Sequence, residues 1–117
     1  GIPETQGLFG AEQFSEMKDG AYFINAGLGT AVDTEALREA LRSGKIGGAA
    51  LDVTDPEPLP LTDELWTMKN VMITPHVAGN LYLAETTERI LRIAGENLRR
   101  MTHGEKVVRP IDRRLGY

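Results

Sequence analysis

The sequence predicts an α/β fold, part of a doubly wound parallel sheet of about three strands with flanking helices and a long C-terminal helix. Three observations carry this reading. Residues 21–25 are a nearly continuous apolar run, the pattern of a strand covered on both faces, residues 47–53 read as a second, buried strand and residues 71–74 as a third. The segments between and after them carry helical or turn signals, and alternation of strand with helix favours parallel pairing through crossovers. The polar residues of chemical interest, Asn25, Asp52, Glu57, Thr74 and His76, all end or follow a strand, where open α/β sheets bind ligands.

In order along the chain, residues 11–17 form a first helix with Phe14 and Met17 facing inward, stopped by Lys18-Asp19-Gly20. Residues 21–25 form the first strand, ending at Gly27 and Gly29. Asp33 caps the next helix, with Glu35 in its first turn, Ala36, Leu37, Ala40 and Leu41 on one face and Gly44 at its end. Residues 47–53 are the second strand. The prolines of Asp55-Pro56-Glu57-Pro58-Leu59-Pro60 remove backbone donors and force an extended loop, which carries Glu57. A helical turn at residues 64–68 precedes the third strand, residues 71–74, which Pro75 breaks just before His76. A long helix spans residues 83–101, with Thr87, Leu91, Ala94, Leu98 and Met101 as a packing stripe and Arg89, Arg92, Glu96 and Arg99 in solvent. Residues 1–102 therefore read as one domain ending in that helix, and residues 103–117 as a basic, irregular tail. His103, beside Gly104 at the helix end, suits the helix dipole and has no evident partner.

Composition bounds the function classes. At 117 residues, with 41% hydrophobic and 26% charged residues, the chain suits one globular domain with a real core. A formal charge of −4 leaves no footprint for nucleic acid or anionic lipid, and the locally basic stretch from Arg99 to Arg114 reads as a solvated helix end and tail. The absence of cysteine excludes disulfides and thiolate zinc sites, and two distant histidines with scattered carboxylates make no metal site. No apolar run is long enough for a bilayer and the first residues lack signal-peptide features, so a cytoplasmic location with neither membrane nor nucleic-acid partner is expected.

Gly27-Leu28-Gly29-Thr30-Ala31-Val32, after a strand and before a helix, imitates a dinucleotide fingerprint with Asp52 downstream as its ribose acid. Val32 is too bulky for the third small position, and the negative Asp33 would repel a pyrophosphate at that helix start. The phosphate-binding turn is therefore not expected among these residues.

Gly20 to Asp33, Gly48-Ala49-Ala50-Leu51-Asp52-Val53, the loop Asp55 to Pro60 and Ile73-Thr74-Pro75-His76-Val77-Ala78-Gly79 together resemble the D-isomer-specific 2-hydroxyacid dehydrogenases, in family order. The ending Asp112-Arg113-Arg114-Leu115-Gly116-Tyr117 is similar to the glyoxylate/hydroxypyruvate reductase branch. The resemblance implies the C-terminal part of a Rossmann-type oxidoreductase that reduces a small 2-keto acid with NAD or NADP. His76 would be the proton donor and Glu57 its carboxylate partner. An imidazole titrates near neutral pH, and a carboxylate beside it favours the form that can donate. The resemblance also implies Asn25, Ala26, Gly27, Asp52, His76 and Gly79 as cofactor-binding residues, with Asp52 at the nicotinamide end.

Leu28 occupies the position where the family carries an arginine, whose guanidinium would grip the substrate carboxylate through paired, charge-assisted bonds. The glycine-rich turn and most of the substrate domain are likewise not found in these residues. The isolated chain is accordingly expected to bind no dinucleotide tightly and to be inactive alone. A second reading keeps the fold but makes the chain a non-catalytic relative, an interaction module or a partner subunit. The first strand has no lysine, proline or bulge signal at its free edge, so a homo-oligomer or a complementing chain is expected to cover it.

Overall fold

The computed structural model describes residues 3–79 and 81–114. The chain divides into two compact units, Gly1–Ala78 and Gly79–Tyr117.

The first unit holds the sheet. Strands β1 (Ala21–Asn25), β2 (Ile46–Leu51) and β3 (Val71–Ile73) run parallel in the order β1-β2-β3. Phe23 aligns with Ala49 and Val71, and Asn25 with Leu51 and Ile73. Helices α1 (Ala11–Glu16) and α2 (Thr34–Arg42) precede β1 and β2. Phe14 of α1 is fully buried and meets Phe23 edge to face at 5.2 Å, while Leu37, Ala40 and Leu41 of α2 bury against Ala49 and Leu51. Asp33 caps α2 by accepting from the Glu35 and Ala36 amides, and Gly44 leaves the helix at φ 73°, a conformation that suits glycine.

β2 and β3 stop short of the expected residues 53 and 74, although the ladder continues through single bonds, Asp52 N to Asn25 O at 2.8 Å and Thr74 N to Leu51 O at 2.9 Å. The expectation that β1 is covered on both faces does not hold in this chain. Tyr22, Ile24 and Met72 are 74%, 73% and 66% exposed. Side chains alternate across a strand, and both helices of the unit bury against the face of Phe23, Ala49 and Leu51. The row Ile24, Ala50 and Met72 therefore points the other way. The β1–β2 register shifts between Ala21 and Tyr22, where β2 carries the extra residue Gly47.

In the second unit α3 spans Ala84–Thr102. The stripe expected to pack is uncovered: Leu91, Ala94, Leu98 and Met101 are exposed, while Thr87, Ile93, Glu96, Asn97 and Arg100 are half-buried. The chain beyond the helix decides this. Asn97 exchanges two hydrogen bonds with the Val108 backbone, at 2.7 and 3.3 Å, and Arg100 donates to the Lys106 carbonyl, so the tail returns along the polar side. Glu96, expected in solvent, instead sits between Arg99 and Arg100, which pull its carboxyl down to about 2. His103 has the partner it was expected to lack: its Nδ1 donates to the Arg99 carbonyl at 2.8 Å, completing the cap of α3. The reductase-like ending falls partly outside the described residues, at positions 115–117. Among the described residues no helix is long and apolar enough to cross a membrane.

Candidate functional site

At the carboxyl end of the sheet, Asn25 fastens the loop that follows β1, and Asp52 fastens the turn that follows β3. Asn25 closes β1 with a side-chain turn. Its Oδ1 accepts from the amides of Gly27 and Leu28 at 3.1 and 3.3 Å, and its Nδ2 donates to the Leu28 carbonyl at 2.9 Å. Ala26, Gly27 and Leu28 are thereby held as one turn, with Leu28 half-buried. Gly29 follows with its backbone pressed against the next loop, where a Cβ would lie 2.0 Å from the Thr54 carbonyl oxygen. Only glycine fits such an approach. The first amides of α2 are taken by the Asp33 carboxylate and Val32 is buried, so this segment offers no pyrophosphate cradle.

Asp52 follows β2 and is 8% exposed. Its Oδ1 accepts from the Thr74 hydroxyl at 2.5 Å and the Val77 amide at 2.9 Å, and its Oδ2 from the Ala78 amide at 2.8 Å. The Thr74 hydroxyl and then those two amides hold its carboxyl below the usual range against the opposing effect of burial, with the nearby His76 adding a smaller pull.

The proline-rich loop leaves β2 and is tied down through its backbone, the Thr34 hydroxyl donating to the Asp55 carbonyl at 2.7 Å and the Thr54 hydroxyl to the Pro56 carbonyl at 2.9 Å. It presents Glu57, whose Oε1 lies 2.6 Å from Nδ1 of His76. His76 follows β3 at φ 55°, with its amide donating to the Thr74 carbonyl at 3.0 Å. Both side chains are largely open to solvent. With Nδ1 turned to the carboxylate, Nε2 is the nitrogen left for a reacting molecule.

Beside this pair is a cleft of about 240 Å³, walled by Pro58, Leu59, Trp66, Ile73 and Pro75 and bounded by His76. Trp66 is the residue that sequence reasoning missed. Its Nε1 donates to the Pro60 carbonyl at 3.0 Å, which keeps the ring against the loop. Being the single tryptophan of the sequence, next to a proline-rich loop, was the available signal.

The first unit thus brings Asn25, Ala26, Gly27, Asp52, Glu57, Thr74 and His76 to one end of the sheet. Asp55 contributes its backbone, and Gly79 is the first residue of the second unit. Among the described residues no three histidine, aspartate or glutamate side chains are placed to hold a metal ion.

Residues 2–78 match the family described as D-isomer specific 2-hydroxyacid dehydrogenase, NAD binding domain. Over 95 residues the chain is 47% identical to glyoxylate/hydroxypyruvate reductase B of Escherichia fergusonii, a match covering 81% of this chain and 29% of that protein. A D-isomer specific 2-hydroxyacid dehydrogenase from Xanthobacter autotrophicus, solved with NADPH and MES, superposes with a TM-score of 0.83 at 45% identity, covering 98% of this chain and 46% of the other. The NADPH-dependent glyoxylate/hydroxypyruvate reductase of Sinorhizobium meliloti, solved with NADP and sulfate, gives 0.81 at 34% identity, covering 98% of this chain and 37% of the other. The chain spans less than half the length of each of these relatives.

Proposed function

The chain belongs to the D-isomer specific 2-hydroxyacid dehydrogenases, and we propose that within a whole protein it supplies the proton-donating half of an NAD(P)-dependent reduction of a small 2-keto acid, glyoxylate or hydroxypyruvate. The observation that carries this reading is the Glu57–His76 contact of 2.6 Å at the carboxyl end of a parallel sheet.

The donor set present fits one end of the cofactor. The turn at Ala26 and Gly27 and the one acceptor position left on Asp52 Oδ2 are polar groups of the kind that orient a nicotinamide. The phosphates have no counterpart here, since Asp33 occupies the amides of the α2 N-terminus and Gly29 is packed against Thr54. On its own, therefore, the chain holds no dinucleotide tightly. When bound, the nicotinamide supplies the hydride for the carbonyl carbon.

The residues of this chain manage the proton. Glu57 accepts from Nδ1–H of His76 and fixes the imidazole orientation, so that Nε2–H can donate to the carbonyl oxygen as negative charge develops there. Pro58, Leu59 and Trp66 keep one side of the cleft apolar, which strengthens the electrostatic contacts inside it. In a complete dehydrogenase reconstituted around this chain, His76→Gln should lower NADPH-dependent glyoxylate reduction on the order of a thousandfold. A variant within about threefold of the parent would overturn the assignment.

Leu28 favours a second reading. It brings neither charge nor donor to the turn where the family resemblance places a substrate-gripping arginine, which suits a non-catalytic subunit that completes a site or an interface for another chain. The exposed row Tyr22, Ile24 and Met72 supports an associating partner in either case.

A further inference from the structure

The family resemblance assigns Asp52 to the cofactor, but its bonds point elsewhere. Within the reading that gives His76 the proton-transfer role, we propose that Asp52 is a positioning residue: its carboxylate clamps residues 74–78 into the backbone turn that presents His76 to Glu57.

The clamp has three jaws, arranged around His76 in sequence. Thr74 lies two residues before it, and the Val77 and Ala78 amides directly follow it, and all three donate to Asp52. A carboxylate offers about four acceptor sites, so at most one remains, on Oδ2, for any ligand. Asp52 itself is fixed from behind, because its amide donates to the Asn25 carbonyl at 2.8 Å and its strand pairs Leu51 with Ile73. Asp52 and Thr74 each continue the ladder by one backbone bond, whereas the Val77 and Ala78 amides bond only to Asp52.

The held turn also requires holding. His76 sits at φ 55°, a left-handed conformation that a non-glycine residue rarely adopts and that persists only where its surroundings over-determine it. Pro75 contributes no amide, and the His76 amide reaches only the Thr74 carbonyl next door. From outside the segment, the Leu51 carbonyl holds the Thr74 amide at 2.9 Å; beyond Thr74 the hold comes from Asp52, or from the His76–Glu57 pair whose geometry the turn sets. The same donors hold its carboxyl below the usual range, so its bonds are charge-assisted.

The test uses the full chain without cofactor, by amide hydrogen exchange and proton NMR. In Asp52→Asn one donor is left facing an NH2 group that cannot accept. The Val77 and Ala78 amides should then exchange about tenfold faster or more, the scale of one lost bond to a charged acceptor. The downfield resonance of the His76 Nδ1 proton should vanish, while the amides of Phe23 and Ala49 keep their parent rates. Thr74→Val removes one jaw without touching the carboxylate and should speed the same two amides by a smaller factor, on the order of threefold. Unchanged Val77 and Ala78 exchange in both variants overturns the clamp and leaves Asp52 to the cofactor. Equal acceleration across the β1 and β2 amides overturns it too, because that is loss of fold rather than of position. Failure of His76 as proton donor would show instead as unimpaired turnover in His76→Gln, with the Asp52 results untouched.

Discussion

Leu28 follows β1 and His76 follows β3, both at the carboxyl end of the sheet, and they differ in what they can offer a keto acid. His76 has a carboxylate partner and a nitrogen left over. Leu28 has an ordered turn, with both its amide and its carbonyl bound by Asn25, and an apolar side chain. An arginine placed there would emerge from a turn already fixed, so little ordering cost should offset its paired bonds to a carboxylate. In a complete dehydrogenase reconstituted around this chain, Leu28→Arg should raise kcat/KM for glyoxylate about a hundredfold, equivalent to roughly 3 kcal/mol in the transition state. Equal steady-state rates for the two versions would mean that Leu28 is not what limits the site. At this scale the Glu57–His76 pair was legible only through the family resemblance, since residues 57 and 76 share no local pattern. The bonds that Asp52 accepts were not legible at all, because their donors arrive from the turn that follows β3, more than twenty residues on.

Among the elements, α2 was the most legible, since every signal that specifies it is local: the Asp33 cap, the apolar spacing of Leu37, Ala40 and Leu41, and Gly44 at φ 73°. What the sequence did not disclose is how α2 reaches forward to the segment that follows the proline-rich loop. Arg38 binds Asp63 through Nη2 and, at 3.3 Å, through Nε, while Asp63 also caps the short 3-10 turn Glu64–Trp66 by accepting from the Leu65 amide at 3.0 Å. The Asp63 side chain is 5% exposed and that of Arg38 19%, so this pair is shielded more than a surface bridge though less than a core one. Asp63→Ala removes the pair and the cap together and should cost about 2 kcal/mol in urea unfolding, between the values for exposed and buried bridges. The Arg38 hydrogen bond, and then the Leu65 amide, hold the Asp63 carboxyl below its ordinary value of 3.8. A lowered folded value means the stabilisation is fully present above 3.8 and is lost as pH falls through the folded value. The gap between parent and variant should thus be the same at pH 7 and pH 5 and shrink only in stronger acid. A gap below about 0.5 kcal/mol at pH 7 would reduce the contact to an ordinary surface bridge.

For the whole molecule, the parallel sheet and the placing of polar residues at its carboxyl end follow from strand and helix alternation, which a sequence displays. Which faces are covered does not, because burial depends on what packs from outside the segment. That is why β1 and α3 were both expected to be covered and both present apolar residues to solvent: Tyr22 and Ile24 on one, Leu91, Leu98 and Met101 on the other. β1 is moreover an edge of the sheet among the described residues, pairing only with β2. An edge strand with bare apolar side chains and unpaired backbone groups is a template for association, and the register shift at Ala21/Tyr22 lies on the side paired with β2, not at the free edge. The relatives are more than twice as long as the matched stretch, so their additional residues are available to cover such surfaces, whereas the isolated chain has only other copies of itself. It should therefore self-associate in solution, with sedimentation velocity showing a concentration-dependent shift from monomer to larger species across the micromolar range. Tyr22→Lys with Ile24→Lys, both at exposed positions, should restore the monomer, since lysine on an exposed strand opposes edge pairing and breaks the apolar patch. A parent chain that stays monomeric at high micromolar concentration, unfolds cooperatively and exchanges its β1 amides rapidly would show that this sheet tolerates its open edge and uncovered face without a partner.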